Sequence, residues 1–150
     1  MPDTPDTSAT SSASVLGFDF GTRLIGVAVG NRLTGARALT TVGNGEAPDW
    51  QKLDALIREW RPATLIVGLP LMLDGSEQAM SRAARAFAEA IGQRYGIAVE
   101  LTDERLTSNE ASRRFAARRA AGSARRKHAA EIDAIAAEVI LENWLATADA

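Results

Sequence analysis

The chain has 150 residues and no cysteine, a length that suits one domain burying about two-thirds of its unfolded surface. The missing thiols exclude disulfides, thiolate zinc sites and cysteine nucleophiles. A net charge of −2 conceals an asymmetry: residues 111–130 carry seven basic side chains and no acid, which leaves the remainder strongly acidic.

In chain order, residues 1–13 (MPDTPDTSATSSA) form a Ser/Thr/Pro-rich stretch expected to be a disordered tail. It lacks the basic start and apolar core of a signal peptide, and no apolar run reaches the ~18–20 residues that cross a bilayer. Residues 14–150 are expected to form the single folded domain. Val15–Phe20 and Leu24–Gly30 are rich in β-branched and aliphatic residues and predict a hairpin, with Ala36–Val42 as a third, edge strand. Gly43-Asn44-Gly45 marks a loop. Leu53, Leu56, Ile57 and Trp60 follow i, i+3, i+4, i+7 spacing, one apolar stripe of a helix over Asp49–Trp60 that Pro62 ends. Thr64–Leu69 (TLIVGL) is a short continuous apolar run, as expected of a parallel strand covered on both faces. Pro70–Gly75 predicts a loop, and Ser76 an N-cap for a helix from Glu77 to Gln93 with Met80, Ala84, Phe87 and Ile91 inward. Ile97–Thr102 follows as a fifth strand. Thr107 and Glu110 have capping-box spacing, which starts an Arg-rich helix broken at Gly122-Ser123. A last helix, from Arg126 to Ala146, buries Ile132, Ile135, Ala136, Val139 and Ile140.

The order β-β-β-α-β-α-β-α-α gives an antiparallel meander followed by strands that pair in parallel through right-handed crossovers. The fold class is α/β: a mixed five-stranded sheet with helices on both faces.

Three acids stand out against this frame. Asp19 interrupts the apolar first strand, where an uncompensated carboxylate costs several kcal/mol. It is either a ligand for a metal or phosphate group, or a turn residue capping the bend at Gly21-Thr22. Glu104 lies just past the fifth strand, at the sheet edge where α/β loops converge on ligands. Asp133 shares one helical stripe with Ala137, Ile140 and Trp144, so it faces the protein body or its border and not open water. Carboxylates brought together take up protons unless a divalent cation neutralises them, and an oxygen-only ligand set points to Mg2+ or Mn2+.

The segments DFGTRLIGVAVG, VGLPLMLDGSE, TDERLTS and IDAIAAEVIL, in this order, resemble the successive motifs of the YqgF (RuvX) family over about residues 15–145. The pattern differs at Met72 and His128, where that family commonly carries Asn and Gly. The resemblance implies an RNase H-like fold related to Holliday-junction resolvases, with Asp19, Glu104 and Asp133 as the catalytic and metal-binding acids. It implies a metal-dependent endonuclease that hydrolyses phosphodiester bonds in 5′-end processing of pre-16S rRNA. Cleavage of branched DNA as a resolvase is the alternative, and a non-catalytic RNA-binding assembly factor is a third reading. Asp19–Gly30 is also similar to the first phosphate motif of actin-like ATPases, which need two such domains where this chain has room for one.

The basic run supplies the expected nucleic-acid contacts: Arg113, Arg114, Arg118, Arg119, Arg125, Arg126 and Lys127, with Arg105 beside Glu104. Arg105 and Lys127 either meet phosphate or pair with Glu104 and Glu131. Asp103 should point away from Glu104, because successive strand residues face opposite sides. Asp74 reads equally as a ligand or a turn residue. His128 is the sole histidine, which makes a histidine-dependent nuclease mechanism a poor fit. With 5% aromatic residues, base stacking has little support and backbone recognition is expected. The expected setting is cytoplasmic, with ribosomal particles as candidate partners and a monomer or homodimer as the working unit.

Overall fold

The computed structural model describes residues 13–70, 74, 76–104, 107–120 and 128–147. Five strands, β1 (Val15–Phe20), β2 (Leu24–Asn31), β3 (Gly35–Gly43), β4 (Thr64–Leu69) and β5 (Ala98–Asp103), form one sheet in the order β3-β2-β1-β4-β5. β1 and β3 pair with β2 antiparallel, while β4 pairs with β1 and β5 in parallel. This is the mixed sheet expected from the sequence, with β3 at an edge.

Alternation along the strands sorts the core into two faces. Leu16, Phe18, Ile25, Val27, Leu65 and Val67 pack against α1 (Trp50–Trp60) and α2 (Ala79–Tyr95) on one side. On the other side, Val15, Ala28 and Ile66 meet Ala137, Ile140 and Leu141 of α4 (His128–Thr147). Ala111 and Phe115 of α3 (Thr107–Ala120) join Ile135 and Ala136 in a third cluster. Most of the middle of α4 is buried because it lies between the sheet and α3.

Helix ends follow local chemistry. Asp49 caps α1 by accepting from the Lys52 N–H at 3.2 Å, and Arg61, at φ 45°, closes it one residue before Pro62. The expected N-cap at Ser76 is corrected. Ser76 spends both its N–H and its hydroxyl on Asp74 Oδ1, at 2.9 and 2.7 Å, so it belongs to a turn. The helix begins at Ala79, capped by Gln78 in a reciprocal box with Ser81. That also answers the question over Asp74, whose carboxylate makes the turn. Of the expected inward residues, Ala84, Phe87 and Ile91 are buried, while Met80 is only partly so and Ser81 takes the buried place.

The expected tail and Met72 lie outside the described residues, as do Arg105, the Gly122-Ser123 break, Arg125, Arg126 and Lys127. Among the described residues, no helix is long and apolar enough to cross a membrane.

Candidate active site

Asp19 belongs to the α4-facing set of β1, two residues beyond Gly17. Its antiparallel partner on β2 is Gly26. A Cβ at Gly26 would overlap the carbonyl oxygen of Asp133, so the missing side chain is what lets the first half of α4 lie against the sheet there. Gly17 serves the same approach further along, where a Cβ would stand 3.0 Å from Leu141 Cβ. On β4, Gly68 follows Val67, the parallel partner of Phe18. A Cβ at Gly68 would overlap Glu104 Oε2 and come within 2.5 Å of Ile140 Cδ1. Gly17 and Gly26 therefore leave the space that α4 occupies, and Gly68 leaves the space for the Glu104 carboxyl.

Glu104 enters this space from the end of β5, where its N–H donates to the Leu69 carbonyl at 3.2 Å. Its carboxyl lies close enough to that of Asp19 for each to shift the other's proton affinity. Burial lifts both acids above the usual carboxylate range. The Asp133 charge adds to the effect on Asp19, and the Asp19 charge adds to the effect on Glu104. Burial alone raises Asp133, which is half-buried. Asp103 adds a smaller like-charge push on Glu104 and is itself exposed, as strand alternation requires.

The structure thus joins Asp19 to Glu104 and sets Asp133 close enough to Asp19 for their charges to interact. Among the described residues, no three His, Cys, Asp or Glu side chains close into a ready-made metal cage. The Asp19–Glu104 pair nevertheless fits a hard divalent cation. Once ionised, both groups are acceptors only, and Glu104 Oε2 is buried without a hydrogen-bond donor among the described residues.

Beside the acids opens a cleft of about 560 Å³ lined by Gly21, Thr22, Arg23, Leu24 and Asp133. It gives a substrate access to Asp133 from the side of the β1–β2 turn.

The basic residues divide. Arg114 donates to Glu110, Glu138 and Glu142 at 2.9, 2.6 and 2.6 Å, and Arg118 donates to Glu138 at 2.8 Å. Glu138 is 4% exposed and also accepts from the Ala38 N–H of β3 at 2.9 Å. These two arginines hold α3 to α4, and Glu138 holds α4 to the sheet edge. Arg113 pairs with Glu110 but stays exposed. Arg119 lies on α3. Glu138 was not among the residues singled out from the sequence. Its signal was present, since it interrupts IDAIAAEVIL just as Asp133 does.

Comparison with known proteins places these features in context. The family described as "RuvX: Holliday junction resolvase" matches residues 13–147. A protein from Xanthomonas campestris pv. campestris (strain B100), named "Putative pre-16S rRNA nuclease", is 51% identical over 135 residues, covering 89% of this chain and 87% of its own length. One of the same name from Xylella fastidiosa (strain M23) is 54% identical over 134 residues, covering 88% and 86%. Among solved structures, T. thermophilus RuvC in complex with a Holliday junction substrate superimposes with a TM-score of 0.54 at 18% identity, over 91% of this chain and 96% of that one. The yeast mitochondrial Holliday junction resolvase Ydc2 gives 0.51 at 10% identity, over 89% and 78%. Both similarities are of fold, and they match the RNase H-like arrangement expected from the sequence.

Proposed function

The chain belongs to the RuvX family, and from that membership together with the site geometry we propose that it is a metal-dependent nuclease whose substrate is the 5′ end of pre-16S rRNA. The observation that carries the chemistry is the closeness of the Asp19 and Glu104 carboxyls, with Glu104 Oε2 buried and undonated, close to Asp133 and its cleft. A bound Mg2+ or Mn2+ supplies charge neutralisation at the scissile phosphate and lowers the pKa of water. Asp19 and Glu104 are the residues that would hold it, and Asp133 completes the carboxylate set from the cleft side. Because burial and mutual repulsion favour protons on these acids, the site is poised to exchange protons for a cation.

The nucleic acid is held in this reading by its backbone. Arg113 and Arg119 of α3, with Arg105, Arg125, Arg126 and Lys127 nearby in sequence, supply positive charge. Arg114 and Arg118 contribute by fixing α3 in place. The setting is cytoplasmic, with precursor ribosomal particles as partners and a monomer sufficient for trimming one RNA end.

Resolution of branched DNA is the second reading, favoured by the family description and by the fold shared with the junction-bound resolvase. Cleavage of a precursor rRNA fragment and of a four-way DNA junction should be compared for the wild type, Asp19→Asn, Glu104→Gln and Asp133→Asn. Loss of RNA cleavage in all three variants and in EDTA is the expected result. Activity that survives EDTA or all three substitutions would falsify the metal-dependent mechanism, and cutting of the junction alone would move the assignment to resolvase.

A further inference from the structure

The turn between β1 and β2 is held more firmly than so short a connection requires. Gly21 N–H donates to the Leu24 carbonyl at 3.0 Å, closing the turn on itself. Asn44 then grips it twice from the loop after β3. Its side-chain Nδ2 donates to the Gly21 carbonyl at 2.6 Å, and its backbone N–H donates to the Arg23 carbonyl at 2.9 Å. Asn44 is only 8% exposed. A buried loop amide is costly unless hydrogen-bonded, and these bonds go to another element, so their effect is to fix the β1–β2 turn.

What the turn presents is Thr22 and Arg23, both exposed and both lining the cleft that Asp133 also lines. Arg23 makes no ion pair among the described residues, whereas Arg85, Arg94, Arg113 and Arg114 each have a carboxylate partner. A cleft bordered by Asp133, with Asp19 and Glu104 behind it, repels a polyanion. A guanidinium on its rim offsets that repulsion and matches the two-pronged geometry of a phosphate.

We propose that Arg23 is a substrate-binding residue that holds a backbone phosphate flanking the scissile one, with Asn44 as the positioning residue that anchors its turn. This proposal rests on the nuclease reading for the identity of the substrate.

The test is fluorescence anisotropy of the full chain with two labelled probes, an RNA stem with a single-stranded 5′ extension and a four-way DNA junction. Titrations run over a salt series with Ca2+ in place of Mg2+. Arg23→Gln should weaken binding about tenfold and make the slope of log K against log salt shallower by about 0.7–0.9. Arg23→Lys should keep the wild-type slope while losing part of the affinity. Asn44→Ala, with its melting temperature measured alongside, should also keep the slope, because Arg23 retains its charge on a loosened turn. Arg58→Gln removes the same charge from exposed α1 on the opposite sheet face and should bind as the wild type does. Wild-type affinity and slope in Arg23→Gln would overturn the proposal. So would an equal loss in Arg58→Gln, or failure of the wild type to bind either probe. Parallel cleavage assays in Mg2+ separate the two readings. Weak binding by Arg23→Gln with no cleavage by the wild type leaves Arg23 standing and removes the nuclease reading. Normal binding by Arg23→Gln with active wild type does the reverse.

Discussion

Gly26 and Asp133 touch through backbone alone: the carbonyl oxygen of Asp133 occupies the place where a Cβ of residue 26 would project. Since Asp19 is the strand partner of Gly26, this one contact sets the spacing between two of the three acids. Gly26→Ala should therefore act on stability and on the site together. A backbone carbonyl cannot rotate away as a side chain can, so the expected loss is about 1–3 kcal/mol of overpacking. Urea denaturation measures it, and a neutral result would show that α4 can lift from the sheet freely. Cleavage should fall in the same variant even where it remains fully folded.

Metal-free protein should lose stability as pH rises. Asp19, Glu104 and Asp133 all have folded-state values above their ordinary ones, so between about pH 4 and those raised values the native state holds more protons than the unfolded chain. Their contribution favours the fold at low pH and is lost as pH climbs through the raised range. In EDTA, melting temperature should decline from pH 5 to pH 8, and Glu104→Gln should flatten that decline. Added Mg2+ should restore the alkaline side in the wild type more than in the variant. An unchanged profile in Glu104→Gln would show that its carboxyl does not carry the effect.

Glu138 should behave as a structural keystone of the α3–α4 interface. Its side chain is 5% exposed and joined to Arg114 and Arg118. Removing it by Glu138→Ala takes one carboxylate from Arg114, which keeps Glu110 and Glu142, and one from Arg118, and it strips the Ala38 N–H of its acceptor, at a cost of about 1–3 kcal/mol. Replacing Glu138 and Arg114 together by Leu and Met should recover much of that loss. If Glu138→Ala is mild, α3 is held by its apolar contacts alone.

Asp54 should govern the acid limb. It accepts from Arg94 Nε and Nη2, each at 2.9 Å, and from Tyr95 Oη at 2.7 Å. Hydrogen bonding by Arg94, then by Tyr95, holds its carboxyl down at about 2. A depressed carboxylate stabilises the fold above its unfolded value near 4, and that stabilisation fades as pH falls through about 2. Asp54→Asn should be less stable than the wild type at pH 6, with the two converging towards pH 2. A gap that stays constant with pH would rule this out.

Element order and sheet orientation were legible because apolar period and run length are local properties of the chain. TLIVGL, short and continuously apolar, matched a parallel strand covered on both sides, and Asp19 and Asp133 were visible as charges among apolar residues. Ser76 misled because two adjacent groups competed for it: a serine before a helix resembles a cap until Asp74 takes its N–H and hydroxyl. Asn44 was hidden differently. Between two glycines it reads as turn punctuation, and nothing local indicates that its amide reaches back to Gly21. Arg114 and Arg118 looked like part of a binding surface because a charge run contains no record of the glutamates that another helix brings to it. The three glutamates on Arg114 come from two helices, Glu110 from its own and Glu138 and Glu142 from the next.

Helix α4 spans the sheet from edge to edge, taking the Ala38 N–H of β3 through Glu138 and donating from Trp144 Nε1 to Glu100 of β5 at 3.0 Å. It also follows every strand of the sheet in chain order. During synthesis all five strands therefore emerge before the helix that covers one face of the sheet, and Asp133 reaches Asp19 only after them. The consequence is an order of assembly: the strands, with Asp19 and Glu104, come first, and the helix that brings Asp133 to them comes second.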